Sequence, residues 1–165
     1  MANEPKEIRI AEAQIRFPNL GGRPDQYNPE GKRSFNVVLP GGLADELEAR
    51  GWNVKRREAS GDFPAYAFLR VEAKFKADSP KVLHDPEIVM VSTDGEGNKV
   101  GRRLDAETAG EVDSADIDYV DLVISPYRWS APVGAGSGIK AYVKSMYVNV
   151  RPRAFADKYS GLRMV

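Results

Sequence analysis

Residues 138–151 read GIKAYVKSMYVNVR, and at the two-residue period of a strand they divide unequally. Lys140, Tyr142 and Lys144 share one side, while Ile139, Ala141 and Val143 share the other. After Ser145 the parity reverses: Met146, Val148 and Val150 form the apolar set, and Tyr147, Asn149 and Arg151 the wetter one. A reversal inside one strand requires a bulge or sharp bend, the device that curls sheets into barrels. A half-buried strand with solvated lysines accounts for this pattern. So does a nucleic-acid platform, on which a flat ring stacks a base while neighbouring ammonium groups meet phosphates.

The pattern extends to two neighbours. Ile117–Trp129 reads as a strand with Val120, Leu122 and Ile124 on its apolar side. Tyr119, Asp121, Val123, Ser125, Tyr127 and Trp129 take the other side, and Arg128 follows Tyr127. Ser130–Ser137, SAPVGAGS, suits a mobile hairpin loop that brings Tyr127, Arg128 and Trp129 back beside Lys140, Tyr142 and Lys144. In Ala65–Lys76, Ala67, Leu69, Val71, Ala73 and Phe75 alternate as a buried face. The opposite face carries Tyr66, Phe68, Arg70, Glu72, Lys74 and Lys76. Again rings and bases share the side that is not core.

Elsewhere, Lys6–Phe17 predicts a first strand with a bulge near Ala11, ended by Pro18. Asn19–Lys32 is rich in Gly, Pro, Asn and Asp and reads as a long loop carrying Arg23, Tyr27 and Lys32, suited to binding or simply flexible. Ser34–Leu39 is a second strand, and Leu43–Arg50 a helix closed by Gly51. Trp52–Val54 resumes as a short strand in which Trp52 anchors that helix to the core, and Lys55–Gly61 follows as a basic irregular connection. Lys81–Ser92 contains a strand that turns at 94–98 into Lys99–Leu104. Asp105–Asp116 predicts short helical turns capped at Asp105 and Asp113.

The 165 residues suit one β-rich domain with a curled sheet over residues 1–150, followed by a tail at 151–165. Cysteine is absent, which excludes disulfides and thiol chemistry, and His84 is the only histidine, so no zinc site of the usual type is expected. No apolar run reaches the roughly 18–20 residues of a membrane helix, and MANEPKEIRI lacks the pattern of a signal peptide, so a cytoplasmic protein is expected. The formal net charge is zero, but it is segregated. Residues 104–121 hold Asp105, Glu107, Glu111, Asp113, Asp116, Asp118 and Asp121 and no Lys or Arg, whereas residues 122–165 are basic with Asp157 as their single acid. No serine–histidine–aspartate grouping, phosphate-binding loop or dinucleotide fingerprint is present. The expectation is therefore a protein that is not an enzyme and needs no metal or cofactor. A carboxylate-metal nuclease built on the acidic segment and a structural or protein-interaction β-domain are the alternatives.

VDLVISPYRW at 120–129 followed by GIKAYVKSMYVNV at 138–150 resembles the single-stranded DNA-binding proteins of tailed bacteriophages. RSFNVVLP at 33–40 and RGWNVK at 50–55 are similar to the same group. The resemblance implies a mainly β fold with one or two short helices, a curled or closed antiparallel barrel of OB-fold type. It also implies sequence-independent binding of single-stranded DNA (ssDNA) in phage replication or recombination, in the host cytoplasm and alongside phage proteins of those pathways. Tyr142, Lys140, Lys144, Tyr127, Arg128, Trp129, Tyr66, Phe68, Arg70, Lys74 and Lys76 are the expected contacts. In one respect the chain departs from many replication proteins of this kind, which end in an acidic tail: residues 151–165 hold Arg151, Arg153, Lys158 and Arg163 against Asp157.

Overall fold

Period-two apolar runs become strands throughout the chain. The computed structural model describes residues 6–130, 137–152, 161–163 and 165. Its strands are β1 (Ile8–Ala13), β2 (Ile15–Asn19), β3 (Ser34–Leu39), β4 (Val54–Arg57), β5 (Tyr66–Glu72), β6 (Glu87–Thr93), β7 (Lys99–Leu104), β8 (Ile117–Ser130) and β9 (Ser137–Val150). Helix α1 (Gly41–Ala49) lies between β3 and β4, and a 3₁₀ turn at Ala109–Ser114 between β7 and β8. The expected loop at 130–137 falls largely on residues 131–136, and the expected helical turn of the tail on 153–160; both lie outside the described residues.

The strands form one sheet in the order β1-β8-β9-β5-β3-β2, with β4 on β5, β6 on β9, and β7 on β6. The two ends of that path are consecutive in sequence, separated only by Gln14, and no ladder joins them, so the paired sheet is not closed. The fold is thus mainly β, as expected. It is not purely antiparallel: β9 runs parallel to β5 through Val71↔Ala141 and Glu72↔Tyr142, and parallel to β6 from Glu87↔Ser145 to Val91↔Asn149. β5 and β6 lie end to end along one edge of the longer β9. A tight turn reverses a chain and leaves a local signal, whereas a long connection that keeps its direction leaves none.

β9 bends where its parity changes. Val123 pairs with Ser145 and Ile124 with Val143, so Lys144 has no partner across the ladder. That extra residue switches the inward set from Ile139, Ala141 and Val143 to Met146 and Val148, all buried. A second irregularity lies between Ile10 and Ala13 on β1, where Glu12 has φ 52°. Phe35, Val37 and Leu39 lie beside Val71, Leu69 and Ala67 as ladder partners on the buried side of the sheet. Each buried side chain of this size stabilises by about 1.5–3 kcal/mol. α1 contributes Ala44 and Leu47, ends at the left-handed Gly51 (φ 94°), and is followed by Trp52, 4% exposed and bridged to Ile139. Trp52 is therefore core, as its position after the helix predicts.

Two elements differ from the sequence expectation. Lys55, Arg56 and Arg57 are not an irregular connection but continue from Val54 as a strand on Tyr66–Leu69; only Val54 is half-buried, so these three carry no alternation to reveal it. In the acidic segment Asp105 does cap a turn, accepting from the Glu107 and Thr108 backbone N–H groups. Asp113 is no cap. Its carboxylate reaches across to accept from Leu20 N at 2.7 Å and Gly21 N at 3.0 Å.

Candidate nucleic-acid interface

The outer side of β2, β3, β5, β4 and β9 is built from residues that the register places in rows. Arg16 lies opposite Asn36, which lies opposite Arg70. Ser34 lies opposite Glu72, which lies opposite Tyr142, and Tyr142 opposite Ser125. Further along β5, Phe68 stands between Val38 and Lys55, and Tyr66 opposite Arg57. At about 3.3 Å per residue, β5 alone carries this face for roughly 20 Å.

Cations sit over the rings along its length. The Arg16 guanidinium lies 5.0 Å from the Tyr66 centroid, Arg57 5.9 Å from Phe17, and the Lys74 ammonium 5.3 Å from Tyr142. Tyr127 meets Tyr142 edge-on at 6.1 Å. Arg16, Lys55, Arg57, Arg70, Lys74 and Lys140 are all exposed. The Tyr142 hydroxyl is pushed above the usual phenol range, first by burial and then by the Glu72 charge and Tyr127, with Lys140 and Lys32 opposing the shift. Those groups therefore converge on one ring.

One end of the face is walled by the Asn19–Arg33 stretch, which is pinned rather than slack. The Asn28 side chain donates to Lys32 O and accepts from Lys32 N, while Asp25 accepts from Tyr27 N and Asn28 N. Gly22 (φ 65°) and Gly31 (φ 68°) approach so closely that a Cβ on Gly22 would stand 2.7 Å from Gly31 O. Between this loop and β5 lies a recess of about 290 Å³, bordered by Tyr27, Glu30 and Lys32 on one side and Arg70 and Glu72 on the other.

Of the residues expected at the site, Tyr142, Lys140, Tyr127, Lys74, Arg70 and Tyr66 share this face. Phe68 also points outward but is only 8% exposed, 5.7 Å from Tyr66, so its neighbours cover the ring. Lys144, the bulge residue, turns to Glu7 and is ion-paired with it at 2.5 Å. Lys76 is exposed just past the end of β5, its backbone N–H held by Asp85. Arg128 and Trp129 lie on β8 opposite Ile139 and Gly138, and their side chains are outside the described residues.

Sequence reasoning missed Arg16, Phe17, Lys55 and Arg57. Phe17 has the parity of the buried residues of its strand, yet a second positive φ, 52°, turns it out to 66% exposure. Such a backbone is uncommon for a bulky residue, and the sequence holds no sign of it. Asp105, Glu111, Asp113, Asp116 and Asp121 of the acidic segment are engaged elsewhere, and among the described residues no group of three His, Asp or Glu side chains could hold a metal ion. Among the described residues, too, no helix is long and apolar enough to cross a membrane.

No curated protein matches the chain. Among solved structures, the single-stranded DNA-binding protein from bacteriophage Enc34 in complex with ssDNA resembles it with a TM-score of 0.50 at 13% identity, over 90% of this chain and 89% of that one. A C-terminal truncation of the Enc34 protein gives 0.49 at 13% identity, over 90% and 88%. The single-stranded DNA-binding protein gp2.5 encoded by bacteriophage T7 gives 0.44 at 16%, over 96% and 98%. At these identities the first likeness bears on the fold, and the other two carry no further weight. The family described as "Putative phage ssDNA-binding domain" matches residues 2–165. With nearly every residue inside that match, the chain belongs to the phage ssDNA-binding domain family.

Proposed function

We propose that this protein binds single-stranded DNA along the outer face of β2, β3, β5, β4 and β9, stacking bases on exposed rings and meeting phosphates with the cations between them. The observation that carries the reading is the alternation itself: Phe17 under Arg57, Tyr66 under Arg16, and Tyr142 under Lys74. Stacking is tolerant of sequence because every base has a π-face, and flanking cations track a backbone whatever its bases. Tyr142, Tyr127, Tyr66, Lys140, Arg70 and Lys74 are the proposed contacts, joined by Arg16, Phe17, Lys55 and Arg57. Phe68 supports Tyr66, Lys76 extends the cationic track, and Arg128 and Trp129 are proposed as further contacts.

The sheet is taken as an OB-type barrel formed by residues 1–150, with 151–165 as a tail. Its closure would come from the bent first strand, since β1 and β2 occupy the two ends of the path and only Gln14 separates them in the chain. The role is binding without catalysis, in replication or recombination of phage DNA in the host cytoplasm, where other phage proteins of those processes would be its partners. A mobility-shift titration at low salt with ssDNA, duplex DNA and RNA tests the reading. Retention of ssDNA well before duplex is expected. Failure to bind ssDNA at low salt would leave the domain to a structural or inhibitory role.

A further inference from the structure

Glu72 is out of place on a surface that binds phosphates. It stands in the middle of the outer face, between Ser34 and Tyr142, and lines the recess under the Tyr27–Lys32 loop. A carboxylate there repels every phosphate that the surrounding cations attract. The other acid of the recess, Glu30, is neutralised by Lys32 at 3.5 Å, whereas none of the ion pairs among the described residues uses Glu72. Glu72 is half-buried and leaves its carboxylate open to a donor from a ligand.

The recess supplies the geometry for that donor. Its volume of about 290 Å³ lies at the small end of ligand pockets and is enough to admit a base. Tyr142 is the β9 register partner of Glu72, so a base stacked on that ring would lie one strand away from the carboxylate that lines the recess. An ionised carboxylate only accepts, through two oxygens side by side. Guanine alone presents two adjacent donors on its Watson–Crick edge, N1–H and the N2 amino group. Cytosine and adenine set one amino donor beside an acceptor, and thymine sets its N3–H between two carbonyls, so each brings an acceptor against the carboxylate. Paired, charge-assisted hydrogen bonds of this kind are the strong ones.

We infer that the recess between the Tyr27–Lys32 loop and β5 is a guanine subsite, in which Glu72 receives N1–H and the N2 amino group of one base of the bound strand. The inference rests on the ssDNA reading above and adds a base preference at one position to otherwise sequence-tolerant binding. Arg70 and Lys32, at the rim of the same recess, hold the flanking phosphates against the local repulsion of Glu72.

The test compares repeating d(TG) oligonucleotides with d(TI), in which inosine lacks only the N2 amino group, by fluorescence anisotropy at one salt concentration. The wild-type protein should bind d(TG) at least about fivefold more tightly than d(TI). In Glu72→Gln that ratio should fall to within about twofold, and d(TI) should bind more tightly than to the wild type because a repelling charge is gone. Equal wild-type affinities for d(TG) and d(TI) overturn the subsite and leave ssDNA binding standing, whatever the fate of the variant. A ratio that survives Glu72→Gln, in a protein whose thermal melt is unchanged, also overturns it. Failure to bind either oligonucleotide at low salt overturns both the subsite and the function on which it rests.

Discussion

Replacing Tyr142 with alanine separates a binding ring from a packing ring, because the structure assigns the two roles different sizes. The ring lies outside the main core; it meets Tyr127 edge-on at 6.1 Å and carries Lys74 at 5.3 Å. An edge-on aromatic pair contributes about 0.5–1.5 kcal/mol, and a solvent-exposed cation–π contact about 0.5–1 kcal/mol. The fold should therefore lose roughly 1–2 kcal/mol, a tolerable fraction of a stability of about 5–15 kcal/mol. Binding should lose more in proportion: one stacked base is worth about 1–3 kcal/mol, or roughly 5- to 150-fold in affinity. Anisotropy of a labelled oligonucleotide at fixed salt measures the second quantity, and a thermal melt the first. Tyr142→Phe keeps the ring and both of its contacts and should bind within about twofold of the wild type. Unchanged affinity in Tyr142→Ala would refute the stacking role. A stability loss of about 3–5 kcal/mol, the scale of an emptied core site, would show the ring to be structural.

Lys74→Ala combined with Lys140→Ala should lower the log–log salt slope of ssDNA binding by about 1.4, at about 0.7 per phosphate contact. Lys144→Ala, whose ammonium is already paired with Glu7, should leave that slope unchanged, and a drop equal to that of one outer-face lysine would move Lys144 into the site. Phe68→Ala should destabilise by about 3 kcal/mol in a denaturant titration, since its ring is covered; a variant of full stability with weakened binding would reverse that assignment. Asp113→Ala removes the acceptor of two backbone N–H groups and should cost about 2–4 kcal/mol. Amide exchange should speed up at Leu20 and Gly21 first, and uniform exchange across the sheet would mean that the loop is not held from Asp113.

The faces of the strands were legible wherever a single period governs both burial and solvation. Gly138–Arg151 discloses its inward set, its outward set and the bulge between them, because an unpaired Lys144 shifts every later side chain to the opposite side. Leu43–Arg50 discloses its helix to within two residues of the start, and Gly51 its end. Pairing at long range is another matter. Nothing near Glu72 in sequence says that Tyr142 will lie beside it, and nothing near Lys144 that Glu7, 137 positions away, will take its charge. Exposure on the outer face follows the same division. Phe68 and Tyr66 share one parity, yet Phe68 is covered because Val38 and Lys55 flank it from two strands that were not known to be its neighbours. Phe17 errs in the other direction, since one residue of positive φ undoes the parity of the strand that holds it.

A formal charge of zero is compatible with a phosphate-binding face only if acids are held away from it, and the structure gives most of them other partners. Asp113 fixes Leu20 and Gly21, Asp121 accepts from Glu12 N, Asp116 pairs with Arg151, and Glu111 takes both terminal nitrogens of Arg102. The acidic run at 105–121 is thus largely a set of internal ties, and its lack of lysine and arginine reflects bases supplied by other segments. Lys55, Arg56 and Arg57 show the same division over three consecutive residues. Strand alternation sends Arg56 to Asp45 and Glu48 of α1 and leaves Lys55 and Arg57 on the outer face. With a Debye length of about 8 Å at physiological salt, a strand lying on β5 responds to these neighbouring cations and hardly to the total. Within that cationic field Glu72 is the register partner of Tyr142 and lines the recess beside β5. The acids that are tied to protein donors leave the cations of the outer face free to set its local potential.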